Sequence, residues 1–206
     1  MYIDQILYPV EALGPGKRIG IWLVGCNRGC PGCSNPELWS TKNYQPITVE
    51  DLMCGIRDVC AHNKVDGFTI SGGEPMQQSK ELAELVYYLA QINKDVLVFS
   101  GYTYEEIMDN PDMADVLDNV AVLIDGPYIE DRNEQLVLRG STNQRILLFE
   151  PDLESLYDSY LNQPQSTIQN IHFSDETISI GIHKKNFSEA IEDRLRKLGV
   201  RSVENG

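Results

Sequence analysis

The chain has 206 residues, 42% of them apolar, with 17 basic against 31 acidic side chains and a formal net charge of −14. That length allows one compact core with a small appendage, and the acidic balance argues against nucleic acid as the main partner. Residues 1–18 lack the apolar stretch of a secretion signal, no apolar run approaches the roughly 20 residues that span a bilayer, and an odd set of five cysteines fits a reduced compartment, so a soluble cytoplasmic protein with no membrane partner is expected.

The first expected strand is the apolar run at residues 19–24, and three cysteines follow it directly. A helix starts at Thr48-Val49-Glu50-Asp51 and carries Leu52, Ile56 and Val59 at helical spacing. A second strand, residues 67–70, ends on Ser71-Gly72-Gly73-Glu74-Pro75. The next helix begins near Ser79, with Leu82, Leu85, Val86 and Leu89 on one face. After a strand at 96–99, Thr103-Tyr104-Glu105-Glu106 has the pattern of a capping box, and Asn110-Pro111 restarts the helix it opens. Strands at 120–124 and 146–149 complete the series.

Each of these strands is short, continuous and rich in β-branched or aromatic residues, as strands buried on both faces are. Their alternation with helices predicts a parallel sheet with right-handed crossovers. Four or five such units are too few for a closed eightfold barrel, so the predicted architecture is α/β, an open or partial barrel over residues 1–150. Residues 151–206 differ in texture. A polar stretch at 150–166 precedes strands at 168–173 and 177–182, around the turn Ser174-Asp175-Glu176. A closing helix has Phe187, Ala190, Ile191, Leu195 and Leu198 on one side and stops at Gly199. This ββα unit is too small to bury a core alone and is expected to lie on the larger domain as an extension.

The densest chemical signal is Cys26-Asn27-Arg28-Gly29-Cys30-Pro31-Gly32-Cys33. Three thiolates at such spacing form an incomplete cage. On a 4Fe–4S cube they leave one iron without a protein ligand and open to another molecule. The cage sits at the carboxyl end of a strand, where α/β enzymes place their ligands. At the end of the next strand, Gly72-Gly73 admits a ligand close to the backbone, although a Gly-Gly pair is also an ordinary turn.

The pattern C-x3-C-x2-C, followed about 40 residues later by Gly-Gly-Glu-Pro, resembles the radical S-adenosylmethionine superfamily. More closely, the chain is similar to the activating proteins of anaerobic ribonucleotide reductase. The shared residues are Gly14-Pro15-Gly16 with Arg18, Gly25-Cys26, Cys30-Pro31-Gly32-Cys33, Asn35, Trp39, Ser71-Gly72-Gly73-Glu74-Pro75, Gly101-Tyr102, Asp125-Gly126 and Arg139-Gly140-Ser141-x-Asn143-Gln144.

The resemblance implies that Cys26, Cys30 and Cys33 hold three irons of one 4Fe–4S cluster and that S-adenosylmethionine chelates the fourth. Its amine would also meet the backbone of Gly72, Gly73 and Glu74. Reductive cleavage gives methionine and a 5′-deoxyadenosyl radical, which takes a hydrogen atom from a glycine of a partner glycyl radical enzyme. An electron donor such as flavodoxin or ferredoxin is implied. Ser100 and Asp125, at two further strand ends, are expected near the carboxylate and ribose of the same ligand. Asn143, with Arg139, Gln144 and Arg145, is expected to contact the ligand or the docked glycine loop. Ser100 also reads as a helix-start turn, and Asp125-Gly126 as a turn pair.

Two other readings stay open. The chain could be a radical S-adenosylmethionine enzyme acting directly on a small molecule or peptide. It could instead be a structural zinc protein, with Cys54, Cys60 or His62 as fourth ligand, although zinc sites usually show two separated ligand pairs. Cys54 and Cys60 read as helix residues, and His172 and His183 have no spacing that makes a site.

Overall fold

The computed structural model describes residues 1–164, 167–174 and 177–197. Strand β1 (Ile3–Val10) runs antiparallel to β2 (Arg18–Leu23). Helix α1 (Val49–His62) leads into β3 (Gly67–Gly72), and α2 (Ser79–Ile92) into β4 (Val96–Phe99). The short helices α3 (Tyr104–Met108) and α4 (Pro111–Leu117) lead into β5 (Val122–Asp125). Strand β6 (Arg145–Leu148) closes the far edge. These strands form one sheet in the order β1-β2-β3-β4-β5-β6. Strands β2 to β5 are parallel, so the molecule is a mixed α/β fold with a mostly parallel sheet.

The helices begin where their capping residues place them. Thr48 accepts a hydrogen bond from the Asp51 amide, and Asn110 accepts one from Met113. Thr103 and Glu106 form a reciprocal capping box. Each side chain satisfies an amide that the helix itself leaves open. Apolar faces of α1 to α4 then bury Leu52, Ile56, Leu82, Leu85, Ile107 and Val116 against Ile19, Ile21, Phe68, Ile70, Val96 and Val98 of the sheet.

Three expectations need correction. Strand β1 was not expected, because its half-exposed face breaks the continuous apolar pattern of a buried strand. Strand β6 was expected as another parallel strand, yet it pairs antiparallel with β5, Asp125 opposite Arg145. Only a single 3-10 turn, Glu130–Arg132, separates β5 from β6, so the chain turns back without the α-helical crossover that parallel pairing usually uses. The polar stretch after residue 150 contains a helix, α5 (Glu154–Leu161), with Tyr157 and Tyr160 buried.

Helix α5 covers the second face of the sheet, packing on Leu97, Val122, Ile124 and Leu138. Beyond it, β7 (Ile168–His172) and β8 (Thr177–Gly181) form a separate antiparallel hairpin, followed by α6 (Phe187–Lys197). The hairpin seats Ile180 among Val10, Ala12, Leu13, Trp22 and Val24. The expected turn residues Asp175 and Glu176, the helix stop at Gly199 with Leu198, and the side chains of Ile191 and Leu195 lie outside the described residues.

At the amino ends of the parallel strands, Arg18 is fully buried and pairs with both carboxylate oxygens of Asp95 at 2.7 and 3.0 Å. It also donates to Thr69 Oγ1 and to the carbonyls of Phe68 and Pro15. A buried guanidinium is tolerable when its donors are met in this way. Tyr157 of α5 donates to the same Asp95 at 2.7 Å, which locks the helix to the foot of the sheet. No helix among the described residues is long and apolar enough to cross a membrane.

Candidate active site

At the opposite, carboxyl end of the parallel strands lies a cavity of about 240 Å³. Cys26, Cys30 and Cys33 line it, and all three are free thiols. The segment that carries them is shaped by its own backbone. Gly25 N–H donates to Leu38 O and Cys26 N–H to Trp39 O, so the chain leaves β2, loops out and is tied back by the turn at residues 36–39. Within the loop, the peptide N–H of Arg28 donates to Cys26 Sγ and that of Asn35 to Cys33 Sγ, each at 3.4 Å. Such bonds favour the thiolate form and tune a cluster bound by it. Burial holds the Cys26 thiol above its usual range in the absence of a metal.

Gly72 and Gly73 are fitted to that loop. Gly73 N–H donates to Leu23 O at 2.7 Å, and Glu74 N–H donates to Gly25 O at 2.8 Å. Gly72 has φ +109°, and a Cβ there would strike the Leu23 backbone; one on Gly73 would lie 2.5 Å from Gly25 O. Both glycines are therefore required for the end of β3 to lie against the cysteine loop. An ammonium ligand at this strand end, being a donor only, would be held by carbonyl oxygens.

The Glu74 side chain is buried and points at its neighbours. It accepts from Ser100 Oγ at 2.9 Å, Gly101 N–H at 2.6 Å and Met76 N–H at 3.0 Å. Burial pushes its carboxyl above the usual range, and these donors oppose that shift. Glu74 is thus a brace between the ends of β3 and β4. Ser100 lines the cavity, while its hydroxyl also accepts from Tyr102 N–H at 3.0 Å. Arg28 lies 4.5 Å from the Tyr102 ring centroid, which places a cation over an aromatic face at the cavity edge.

The structure gathers Cys26, Cys30, Cys33, Gly72, Gly73, Glu74 and Ser100 at this cavity, and it does not gather Asp125 or Asn143. The Asp125 carboxylate is committed to Arg145 and to Tyr104 N–H at 2.7 Å. Gly126, its neighbour, lines the cavity. Asn143 donates to Pro127 O at 2.7 Å, and Gly140 and Gln144 are the residues of that block that line the cavity. Gln144 clamps the loop by accepting from Gly140 and Ser141 N–H and donating to Gly126 O.

Several lining residues had no sequence signal. Leu13, Trp22 and Phe99 supply apolar wall, and six consecutive residues of the extension, Ile178 to His183, form another side. Strand alternation marks a residue as facing one side of a sheet, but it cannot show which distant segment will cover that side.

The donor set fits an iron–sulfur cube. Three free thiols face one cavity, peptide donors reach two of the sulfurs, and apolar walls limit water. Among the described residues, no three His, Cys, Asp or Glu side chains converge as a single ion would require. Cys54, Cys60 and His62 belong to α1 and do not line the cavity, so they do not complete a zinc cage there.

Comparison with known proteins agrees with this chemistry. Residues 12–147 match a family model described as a 4Fe-4S single cluster domain. The anaerobic ribonucleoside-triphosphate reductase-activating protein of Escherichia coli is 34% identical over 66% of this chain and 92% of its own length. That of Enterobacteria phage T4 is 31% identical over 71% and 93%. The pyruvate formate-lyase-activating enzyme of Clostridium pasteurianum is 27% identical over 61% of this chain and 53% of its own length. On the extent of these matches, the chain belongs to the family of anaerobic ribonucleoside-triphosphate reductase-activating proteins and carries its 4Fe–4S single cluster domain.

Proposed function

We propose that this chain is a radical S-adenosylmethionine activase whose partner is an anaerobic ribonucleoside-triphosphate reductase. The observation that carries the reading is the meeting of three free cysteines with the Gly72–Glu74 strand end at one cavity. When bound, a 4Fe–4S cluster with one open iron supplies the electron that cleaves S-adenosylmethionine, and the resulting 5′-deoxyadenosyl radical removes a hydrogen atom from a glycine α-carbon.

The protein's part is binding, orientation and exclusion. Cys26, Cys30 and Cys33 hold the cluster. The amides of Arg28 and Asn35 stabilise charge on two of the sulfurs. Backbone carbonyls of Gly72 and Gly73 orient the ligand's amine, and Glu74 fixes their position by gripping Ser100 and Gly101. Asn143 Oδ1 and Arg139 Nε are buried atoms without a hydrogen-bond partner among the described residues, and Gly140 and Gln144 beside them line the cavity, which supports a contact of this block with the ligand or a docked loop.

We read the sheet as the open βα barrel of the superfamily, with residues 1–150 as its core and 151–206 as an extension laid on it. A reduced flavodoxin or ferredoxin is the proposed electron source. The free state of all five cysteines supports a reducing, cytoplasmic setting. Cys30→Ala should abolish both visible iron–sulfide absorption after anaerobic reconstitution and 5′-deoxyadenosine release under reductant. A glycyl doublet by electron spin resonance on the reductase, made by the parent chain and not by the variant, is the expected outcome. Retained 5′-deoxyadenosine release in Cys30→Ala would refute the assignment.

A further inference from the structure

The extension has no counterpart of its length in the two reductase-activating relatives described above, because 92–93% of each is already used in the match and the family model stops at residue 147. Yet this added segment reaches the candidate active site. Six consecutive residues, Ile178, Ser179, Ile180, Gly181, Ile182 and His183, line the cysteine cavity. Successive side chains of a strand point to opposite faces. Ile178, Ile180 and Ile182 point together into the cluster around Leu13 and Trp22. Ser179, Gly181 and His183 line the cavity as well, and Gly181 has no side chain, so the backbone of this run borders the cavity too. Strand β8 pairs through one edge with β7, and among the described residues no strand pairs with its other edge.

The hairpin is held in this place from both sides of the sheet. Gln169 donates to Pro9 O at 2.8 Å and accepts from Glu11 N–H at 2.9 Å, at the β1 edge. At the other side, Asn133 donates to His183 O at 2.9 Å and Lys185 pairs with Asp131 at 2.7 Å, both on the connection between β5 and β6. The extension is therefore a strap between the two edges of the six-stranded sheet, and its strand with an unpaired edge borders the cysteine cavity.

We propose that the free edge of β8 is the docking rail for the partner's glycine-bearing segment, which adds to it as an extended strand. The proposal rests on the activase reading and specifies how that partner is held. Hydrogen abstraction at an α-carbon requires presentation of a backbone, and backbone pairing to a strand edge does so without reading side chains. Alternate residues of β8 turn their N–H and C=O groups away from β7, giving a regular row of donors and acceptors. A glycine in the added strand lets the two backbones meet the cavity wall without a side chain between them. The five residues of β8 offer an edge of about 16 Å at roughly 3.3 Å per residue.

The test is amide hydrogen exchange on the reconstituted full chain, with a synthetic peptide copying the glycine segment of an anaerobic ribonucleoside-triphosphate reductase. Residues 177–183 should exchange at least tenfold more slowly with the peptide bound, while α1 is unchanged. Protection confined to residues 126–145 would overturn the proposal, as would bound peptide with no protection in β8. In parallel, the whole reductase is assayed for a glycyl doublet. A doublet without β8 protection removes the docking rail alone, whereas a cluster-loaded chain that gives no doublet removes the activase reading as well. Ile178→Pro and Ser179→Pro each delete one amide donor, and these adjacent donors face opposite edges. Whichever variant keeps the parent's melting temperature should bind the peptide about tenfold more weakly; parental binding by that variant also overturns the proposal.

Discussion

Arg145 gathers two carboxylates that come from different parts of the sequence. Its guanidinium donates through Nε to both oxygens of Asp125 at 3.0 and 3.1 Å, and it meets Glu105 at 3.0 and 2.7 Å. The pair joins β6 to the first turn of α3, while Asp125 also accepts from Tyr104 N–H. Hydrogen bonding to Arg145 pushes the Glu105 carboxyl down from its ordinary 4.5 to about 2. A group with a depressed folded value adds stability above its unfolded value and loses it as pH falls through the folded one. Stability should therefore drop between pH 4.5 and about 2, and Glu105→Gln should flatten that part of the curve. Urea unfolding of both proteins across this range measures it, and parallel curves would contradict the assignment. Glu105 is exposed, so the pair is a modest contributor screened by salt. Asp125 looked like a ligand contact because it ends a strand. Its pairing with Arg145 was invisible, since the Asp125–Arg145 register depends on β6 running antiparallel.

At the scale of elements, what could be read from sequence was whatever is encoded within a few residues. Thr48, Thr103 and Asn110 announce α1, α3 and α4 because a cap and its amide lie three residues apart. The cysteine loop and the Gly72–Glu74 strand end were legible for the same reason: the chemistry is dense and local. Helix α5 was missed because it has eight residues and its buried surface is carried by tyrosines, which read as polar in a polar stretch. Tyr157 earns its burial through Asp95, 62 residues away, and burial pushes its hydroxyl well above the usual range. Removing that hydroxyl deletes a bond to a charged acceptor. Tyr157→Phe should lower unfolding stability by about 1.5–3 kcal/mol. Tyr160→Phe is the control, because among the described residues Tyr160 bonds neutral backbone groups, at 3.2 and 3.4 Å. Its loss should be about 0.5–1.5 kcal/mol. A cost for Tyr157→Phe no greater than that for Tyr160→Phe, by denaturant unfolding, would show that α5 is not anchored through Asp95.

At the scale of the whole molecule, the extension does two separable things. Helix α5 packs Tyr157 and Tyr160 on Leu97, Val122, Ile124 and Leu138. The hairpin covers Leu13, Trp22 and Val24 and borders the cysteine cavity. A chain ended at Glu150 loses both and leaves the Arg18–Asp95 pair without Tyr157. Exposure of that many apolar side chains, at about 25 cal/mol per Å² of surface no longer buried, exceeds the margin of a typical domain. Such a chain should bind a hydrophobic dye and lose its cooperative melting transition. A chain ended at Gln163 keeps α5 and gives up the hairpin, including the contact of Ile180, whose burial contributes roughly 1.5–3 kcal/mol. It should still melt cooperatively, at a lower temperature. In the metal-free state, Cys26, Cys30 and Cys33 should be alkylated several times faster than in the full chain, because one wall of their cavity is gone. Equal alkylation rates would mean that the hairpin does not shield the cysteines in solution. A cooperative transition in the chain ended at Glu150 would place α5 outside the core and leave the sheet's second face open, against the both-faces burial that the strand pattern implies.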